Sequence, residues 1–339
     1  MAYSGISIQS LGNSGGGPST VADVQTLRNA GVETLGIQIK PTKRKAASNP
    51  QITWQQALDE ELNWALEMVQ ACNDSELRKI KVVIRFNDLV SNDAPNSIKM
   101  NTDLWWDTYT QISLGFWVQV CQKFVGQDIF MFEIYSEPAR VDDRKDSPYP
   151  IKSELETFYQ EAIDIVRHYN INAYFLLSPG PFGQFTQYLN GFTPFNIIDP
   201  IQPYKLMYGF HMYIEHKYTH QGINGIPRPY FYPSPVYDII KLNQDFDAIS
   251  SWSIQYGYQI YMGEFNAARW SPNAIDWVKD VILNAKQADF HWSFFAYKPN
   301  DYRWDPFYEV TNPNDPVVSW QIQYDLNGSL LWHYLLTQF

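Results

Sequence analysis

Eight strand-like apolar runs recur along this 339-residue chain, separated for the most part by segments with helical periodicity. The runs fall at residues 5–10, 33–39, 81–86, 129–138, 173–179, 205–213, 258–265 and 290–297. Most of them are continuously apolar, as expected for parallel strands whose two faces are both covered. Eight such units favour an α/β fold, a single closed (β/α)8 barrel over residues 1–339, rather than an open doubly wound sheet.

Helix signals fit this reading. A helix is predicted from Ser19/Thr20 to Gly31, and Thr53 with Gln56 has the pattern of a capping box opening a long helix through Cys72. The glycine-rich GNSGGG at residues 12–17 follows the first run, but it has neither the dinucleotide nor the phosphate-loop pattern. It therefore predicts a rim loop and no nucleotide cofactor.

Two glutamates end two of the runs, Glu137 in IFMFEIYSEP and Glu264 in YQIYMGEF. A carboxylate at the end of an apolar strand costs desolvation free energy unless something uses it. Active sites of barrels lie at the C-terminal ends of the strands, where both glutamates fall. The same ends carry further polar residues, namely Asn87, His211, Tyr213, Asn266 and Tyr297.

Two facing carboxylates suit glycosidic bond cleavage, in which one donates a proton and the other attacks the anomeric carbon or activates water. A separation of about 5–5.5 Å would indicate retention and about 6.5–9.5 Å inversion, and the sequence leaves this open. A buried structural pair is the alternative. A metal-dependent hydrolase using His211, His216 and His220 is a further hypothesis, although we expect no metal and no cofactor.

The amino-acid composition limits the kinds of binding partner that we expect. The net charge of −11 argues against nucleic acid, and the basic stretch KPTKRK at residues 40–45 predicts a solvated loop. Aromatic residues reach 16%, with 12 Trp and 23 Tyr, which suits stacking on sugar rings. Candidate sugar platforms are Trp105, Trp106, Tyr218, Trp270 and Trp304.

The cysteines, the hydropathy and the N-terminus give expectations about disulfides, membranes and localisation. Cys72 and Cys121 lie in helical patterns and are expected to be buried free thiols, with one disulfide as the alternative. No 18-residue apolar run exists, so we expect no membrane partner, and we expect a monomer. No signal-peptide pattern opens the chain, which leaves open a cytosolic protein or a secreted one whose leader was removed.

The chain contains several short motifs in order from about residue 20 to 300, namely AGVETLGIQI, YSEP, FHMY with the following THQG, GEF and FFAYKP. Together they resemble glycoside hydrolase family 5, a family of (β/α)8 retaining β-glycosidases that includes cellulases. The resemblance implies that Glu137 is the acid/base and Glu264 the nucleophile, and that His211 and Tyr213 contact the attacked sugar. A hydroxyl donor at Tyr213 would lower the pKa of the nucleophile, whereas an acid/base needs a raised pKa.

Four positions depart from the family pattern. Ser136 stands where the family usually has the Asn that donates to the sugar 2-hydroxyl, and Gly36 where it has an Arg beneath the nucleophile. Asn87 replaces a His on the third strand, and Phe295 replaces a Trp on the eighth.

Three interpretations of these departures stay open. The site is rebuilt, with Arg85 supplying the guanidinium and Lys298 or Asn266 adding donors. Alternatively, the substrate differs at C2 or in linkage, as in mannan. In the third interpretation, the chain is a carbohydrate-binding barrel that has lost activity.

Overall fold

The computed structural model describes residues 2–10, 18–41, 44, 52–86, 105–138, 151–169, 171–180, 183–223, 226, 230–299, 302–311, 321–324 and 329–339. For residues 105–109, 302, 308–311 and 321–324 this description covers the backbone only.

Eight parallel strands close into a barrel in sequence order, with β8 pairing back to β1. This confirms the predicted fold, and all eight runs contain a strand. The strands are β1 (Ser4–Gln9), β2 (Thr34–Ile39), β3 (Lys81–Phe86), β4 (Met131–Glu133), β5 (Tyr174–Leu177), β6 (Leu206–Met212), β7 (Gln259–Phe265) and β8 (His291–Phe294).

Nine described helices accompany the barrel: α1 (Val21–Asn29), α2 (Trp54–Cys72), α3 (Trp105–Phe124), α4 (Lys152–His168), α5 (Thr186–Leu189), α6 (His216–Thr219), α7 (Ile239–Tyr256), α8 (Ala274–Gln287) and α9 (Leu330–Leu336). The predicted capping box of Thr53 and Gln56 opens α2, and Thr20 with Asp23 forms a second one at α1. A 3₁₀ turn at Tyr302–Trp304 precedes a two-stranded antiparallel sheet of β9 (Tyr308–Thr311) and β10 (Gln321–Tyr324), which the sequence did not predict.

Glycines inside the barrel make room for larger side chains from neighbouring strands. A Cβ atom on Gly209 would lie 2.9 Å from the Leu176 side chain, and one on Gly36 would lie 3.1 Å from Nε of Arg85. Because barrel interiors are close-packed, these positions accept no side chain without displacing a neighbour. Because Gly36 has no side chain, the Arg85 side chain can point into the barrel below the C-terminal ends of the strands.

A register shift between β6 and β7 sets up the rim itself. Phe210 pairs with Met262, but the next residue, His211, pairs with Glu264, so Gly263 is an extra residue on β7. Such bulges re-aim side chains and are frequent next to active sites. Here the bulge brings His211 and Glu264 directly opposite each other.

Both cysteines are buried free thiols, as expected, and burial raises the pKa of each to about 12. No helix in the described part of the chain is long and apolar enough to cross a membrane. The domain boundary at residues 1–339, the monomeric state and the absence of a nucleic-acid partner stay predictions.

Candidate active site

Glu264 lies near the end of β7 and is 4% exposed. Its carboxylate accepts hydrogen bonds from Nε2 of Gln38 at 2.7 Å and from the hydroxyl of Tyr213 at 3.1 Å. Nη1 of Arg85 lies 3.6 Å from Oε1. Three neighbouring elements, β2, β3 and the end of β6, therefore hold this carboxylate in one orientation.

Glu137 follows β4 and is less enclosed, because 31% of its side chain is exposed. Its Oε1 atom lies 2.9 Å from Nδ1 of His211, which is 3.9 Å from Oε2 of Glu264. One ligand-type atom each from Glu137, His211 and Glu264 can be chosen so that all three lie within 4.8 Å of one another. The structure thus brings the two predicted glutamates together around one imidazole.

A third glutamate, Glu133, completes the charged cluster. It is fully buried at the end of β4, and its carboxylate lies 2.8 Å from Nε of Arg85 and 3.3 Å from Nε2 of His211. Sequence reasoning missed it, although a carboxylate inside an apolar strand was the same signal that identified Glu137.

Burial and opposing charges set the protonation of this cluster. Burial alone would lower the pKa of His211, but Glu264, Glu133 and Glu137 raise it to about 10. The raised pKa favours the protonated ring at neutral pH, the form in which both ring nitrogens donate. Burial would also raise the pKa of Glu133, yet Arg85 and His211 hold it below its ordinary value.

The pKa of Glu264 departs from expectation. We expected the Tyr213 hydroxyl to lower it, but burial raises it above its ordinary value. The charges of His211 and Arg85 oppose this rise, whereas those of Glu137 and Glu133 add to it. Loss of hydration outweighs one hydroxyl donor because the carboxylate is almost completely enclosed.

A cavity of about 550 Å³ opens above these groups. Its floor includes Glu137, Glu264, His211 and Tyr213, and its remaining lining is Gln184, Phe185, Thr186, Ile214, His216, His220, Phe295 and Trp304. This volume is in the range of small-molecule sites. Gln184 and Phe185 in the loop after β5, and Thr186 at the start of α5, were not predicted from the sequence.

The two other histidines of the metal hypothesis lie in the cavity wall as a stacked pair. The rings of His216 and His220 are 4.1 Å apart and 21° from parallel, and Nδ1 of His220 lies 2.9 Å from the Thr219 hydroxyl. Within the described residues, no metal-type cluster joins these rings to His211. The protonated His211 ring already donates to Glu133 and Glu137, so we assign no metal to either group.

Two predicted donors have other partners in the structure. The Asn266 side-chain amide donates to the backbone oxygens of Phe295 and Trp304, the latter at 2.8 Å, and thereby holds the cavity wall rather than a ligand. Nζ of Lys298 lies 2.8 Å from Asp23 of α1. Neither residue lines the cavity, because each side chain is turned toward a protein partner.

Trp270 and Ser136 are also turned away from the cavity. Trp270 is 4% exposed, and its indole N–H donates to the backbone oxygen of Gln221 at 2.6 Å, which corrects its prediction as a sugar platform. Ser136 is fully buried, and its hydroxyl contributes to the low pKa of Glu133. Phe295 does line the cavity. Asn87 and the side chains of Trp105 and Trp106 lie outside the described residues.

The Arg85 side chain lies beside Gly36, the position that the resemblance aligns with the family arginine. Its Nη1 donates to the Ser7 hydroxyl at 2.9 Å and its Nη2 to the Gly263 backbone oxygen at 2.6 Å. The guanidinium thus fills the volume above Gly36 and reaches Glu264 from β3 instead of β2.

A closed (β/α)8 barrel with two glutamates at its C-terminal rim, beside the side chains of Arg85 and His211, has the architecture typical of glycoside hydrolases. The family described as Cellulase (glycosyl hydrolase family 5) matches residues 2–301, and the chain belongs to this family. It is a glycoside hydrolase of the endo-β-glucanase-like kind. The resemblance seen in the sequence is thereby confirmed.

Solved structures share the fold at low sequence identity. Thermotoga maritima Cel5A in complex with cellobiose is 17% identical with a TM-score of 0.66, covering 99% of this chain and 97% of that one. An endoglucanase is 16% identical with a TM-score of 0.66, covering 89% and 91%. A family 5 xyloglucanase from Paenibacillus pabuli is 16% identical with a TM-score of 0.65, covering 94% and 95%. No curated protein matches the chain.

Proposed function

We propose that this protein is a retaining β-glycosidase that hydrolyses a β-linked glucan, with Glu264 as the nucleophile and Glu137 as the acid/base. The observation that carries the proposal is the close approach of the two glutamates, with the chosen atoms of Glu137, His211 and Glu264 all within 4.8 Å. Inverting enzymes need about 6.5–9.5 Å to admit a water between the carboxyls, whereas retaining enzymes need about 5–5.5 Å. The spacing therefore supports double displacement.

The surroundings of Glu264 suit a nucleophile. Gln38 and Tyr213 donate to its carboxylate, and Arg85 adds a positive charge, so its ionised form is stabilised by three groups despite burial. In the first step Glu264 would attack the anomeric carbon while Glu137 gives its proton to the leaving oxygen. In the second step Glu137 would take a proton from water as that water displaces Glu264.

Glu137 is the more exposed of the pair, which suits the group that must meet both a leaving saccharide and a water. The aromatic rings of Phe295 and Trp304 in the cavity lining offer apolar faces to a sugar ring. A β-glucan is our first choice of substrate because the family is that of cellulases and because the similar Cel5A structures contain cellobiose.

A β-mannan is a second candidate, favoured by the position of Ser136. The family residue at this place usually donates to the 2-hydroxyl, but Ser136 is fully buried beside Glu133. Without that donor the site has no hydrogen bond to the equatorial 2-hydroxyl of a glucoside. A mannoside, whose 2-hydroxyl is axial, therefore loses less binding free energy relative to a glucoside.

The test is a pair of substitutions, Glu264→Gln and Glu137→Gln, assayed on soluble β-glucans, xyloglucan and β-mannan. We expect Glu264→Gln to abolish hydrolysis of every substrate. We expect Glu137→Gln to lower kcat on polysaccharides by about 10²–10⁴-fold, but far less on an aryl glycoside whose leaving group needs no proton. Proton NMR of the first product should show the β-anomer.

The matched control is Glu67→Gln, because Glu67 is an exposed glutamate on α2 and its loss should leave hydrolysis unchanged. Trapping of the wild type by a 2-fluoro glycoside at Glu264 would identify the nucleophile directly. Unchanged hydrolysis by Glu264→Gln, or release of the α-anomer, would contradict the proposal. Oligosaccharide binding with no product would favour the non-catalytic barrel.

A further inference from the structure

The buried Glu133 carboxylate lies between two cations that face the glutamate pair, Arg85 and His211. Nε of Arg85 is 2.8 Å from its Oε2, and Nε2 of His211 is 3.3 Å from its Oε1. All three side chains are buried, with exposures of 0% for Glu133 and Arg85 and 2% for His211. Removing one member of such a group leaves an uncompensated buried charge.

Each cation faces a different glutamate with its other nitrogen atoms. Nη1 of Arg85 lies 3.6 Å from Glu264, and Nδ1 of His211 lies 2.9 Å from Glu137. Glu133 thus makes a contact on the inner side of each cation, while the outer side meets a carboxylate at the cavity. A second contact of this kind fixes the orientation and protonation of the group that carries it.

The alternatives for holding these cations are few. Arg85 has two further acceptors, the Ser7 hydroxyl and the Gly263 backbone oxygen, and both are neutral. On the inner side of His211, Glu133 is the acceptor of the Nε2 proton. A neutral group at position 133 would therefore remove the one negative charge that both cations share beneath the cavity.

We propose that Glu133 is a positioning residue, which holds Arg85 toward Glu264 and holds the His211 ring toward Glu137. This inference rests on the proposed function for its catalytic consequence. Glu133 does not line the cavity, so it would act on the reaction through the two cations. Its loss removes the shared contact that orients the two cations, so that Arg85 is no longer held toward Glu264 nor the His211 ring toward Glu137.

Glu133→Gln is the central variant, because glutamine has the same shape without the charge. Its kcat should fall on the order of 10–100-fold, as for other groups that orient a reacting side chain, with little change in KM. The alkaline limb of its pH–rate profile should move to lower pH, because His211 then loses its proton more easily. An unchanged kcat and pH profile would overturn the proposal.

A readout independent of hydrolysis separates this inference from the proposed function. In protein labelled with ¹⁵N at histidine, the His211 ring nitrogens, assigned with His211→Gln, report whether both carry protons. The wild type should keep both protons well above neutral pH, and Glu133→Gln should lose one at least one pH unit lower. An equal midpoint in the two proteins would contradict the role of Glu133, even if the wild type hydrolyses no glycan.

Asp199→Asn controls for the general loss of a buried carboxylate. Asp199 is fully buried and pairs with Arg167 at 2.8 Å, away from the cavity lining. The Asp199→Asn variant should lower the free energy of unfolding without changing the pH at which His211 loses a proton. If Asp199→Asn lowered the pH at which His211 loses a proton as much as Glu133→Gln does, the shift would reflect the loss of any buried carboxylate. That result would count against the proposal.

Glu133→Asp keeps the test decisive if the glutamine variant does not fold. This variant keeps the negative charge, but its side chain is one methylene group shorter, so the carboxylate lies farther from both cations. We expect His211 to keep both protons at pH 8 and kcat to fall, because the aim of Arg85 and His211 changes. Wild-type kcat in Glu133→Asp would overturn the positioning role.

Discussion

Arg85 of β3 occupies the space in which a side chain on Gly36 of β2 would begin. A Cβ atom on Gly36 would lie 3.1 Å from Nε and 3.2 Å from Cζ of Arg85, and 2.9 Å from the Ser7 hydroxyl. The two positions are therefore interdependent, because an inward arginine on β3 requires a glycine on β2. This pairing explains how the site has a guanidinium near Glu264 although the second strand has no arginine.

Gly36→Ala should therefore lower activity more than it lowers stability. The added methyl group pushes the guanidinium away from Glu264, and overpacking of this kind costs about 1–3 kcal/mol of stability. We expect kcat to fall with a smaller change in KM, measured alongside the free energy of unfolding in urea. The control is Gly115→Ala on α3, where a Cβ meets nothing within 4 Å and should stabilise by about 0.5–1 kcal/mol. Full activity in Gly36→Ala would refute the interdependence.

Tyr213→Phe should move the acidic limb of kcat/KM to higher pH. Burial raises the pKa of Glu264 above 4.5, so the wild-type limb should already lie above that pH. Loss of the hydroxyl at 3.1 Å removes a donor to the ionised form and raises the limb further, by about one pH unit. Tyr237→Phe is the control, since its hydroxyl donates to the carboxylate of Asp245 outside the cavity lining. A limb that moves equally in both variants would argue against a specific effect on Glu264.

The sequence predicted the barrel well because each strand carries its own apolar signal, and β3 and the α2 cap match residue for residue. It also predicted which residues gather at the rim, since strand ends meet there by topology. It could not predict the direction of individual side chains. Lys298 and Asn266 are polar residues at strand ends, but their nearest partners, Asp23 and backbone oxygens, come from segments distant in sequence. Glu133 was hidden because its partners, Arg85 and His211, lie on other strands.

Stability should fall as pH rises through the alkaline range because of His211. Its pKa is about 10 in the folded protein against 6.5 ordinarily, so between these values the folded chain holds a proton that the unfolded chain has released. This contribution is complete below pH 6.5 and is lost as pH approaches 10. The slope is about 1.4 kcal/mol per pH unit.

His211→Gln should remove that part of the slope between pH 7 and 9, as measured by urea unfolding at each pH. The ordinary thiol pKa of 9.0 lies at the upper end of this range, but both proteins contain Cys72 and Cys121, so the contribution of the thiols cancels in the comparison. His333→Gln on α9, which replaces an exposed histidine, should leave the slope unchanged. A His211→Gln protein with the wild-type slope would mean that His211 is not charged in the folded state.

Trp304 and Trp270 should respond differently to substitution, although both pack in one apolar cluster with Ile223 and Ala268. Trp304 lines the cavity, with its backbone oxygen bound by Asn266, whereas the Trp270 indole donates to Gln221 and does not line it. We expect Trp304→Ala to weaken oligosaccharide binding by about 1 kcal/mol, or roughly fivefold in Kd by calorimetry. Trp270→Phe should lower the free energy of unfolding by about 1–3 kcal/mol, because the Gln221 oxygen loses its donor, and should leave Kd unchanged. Equal loss of affinity in both variants would instead return Trp270 to the sugar-binding surface.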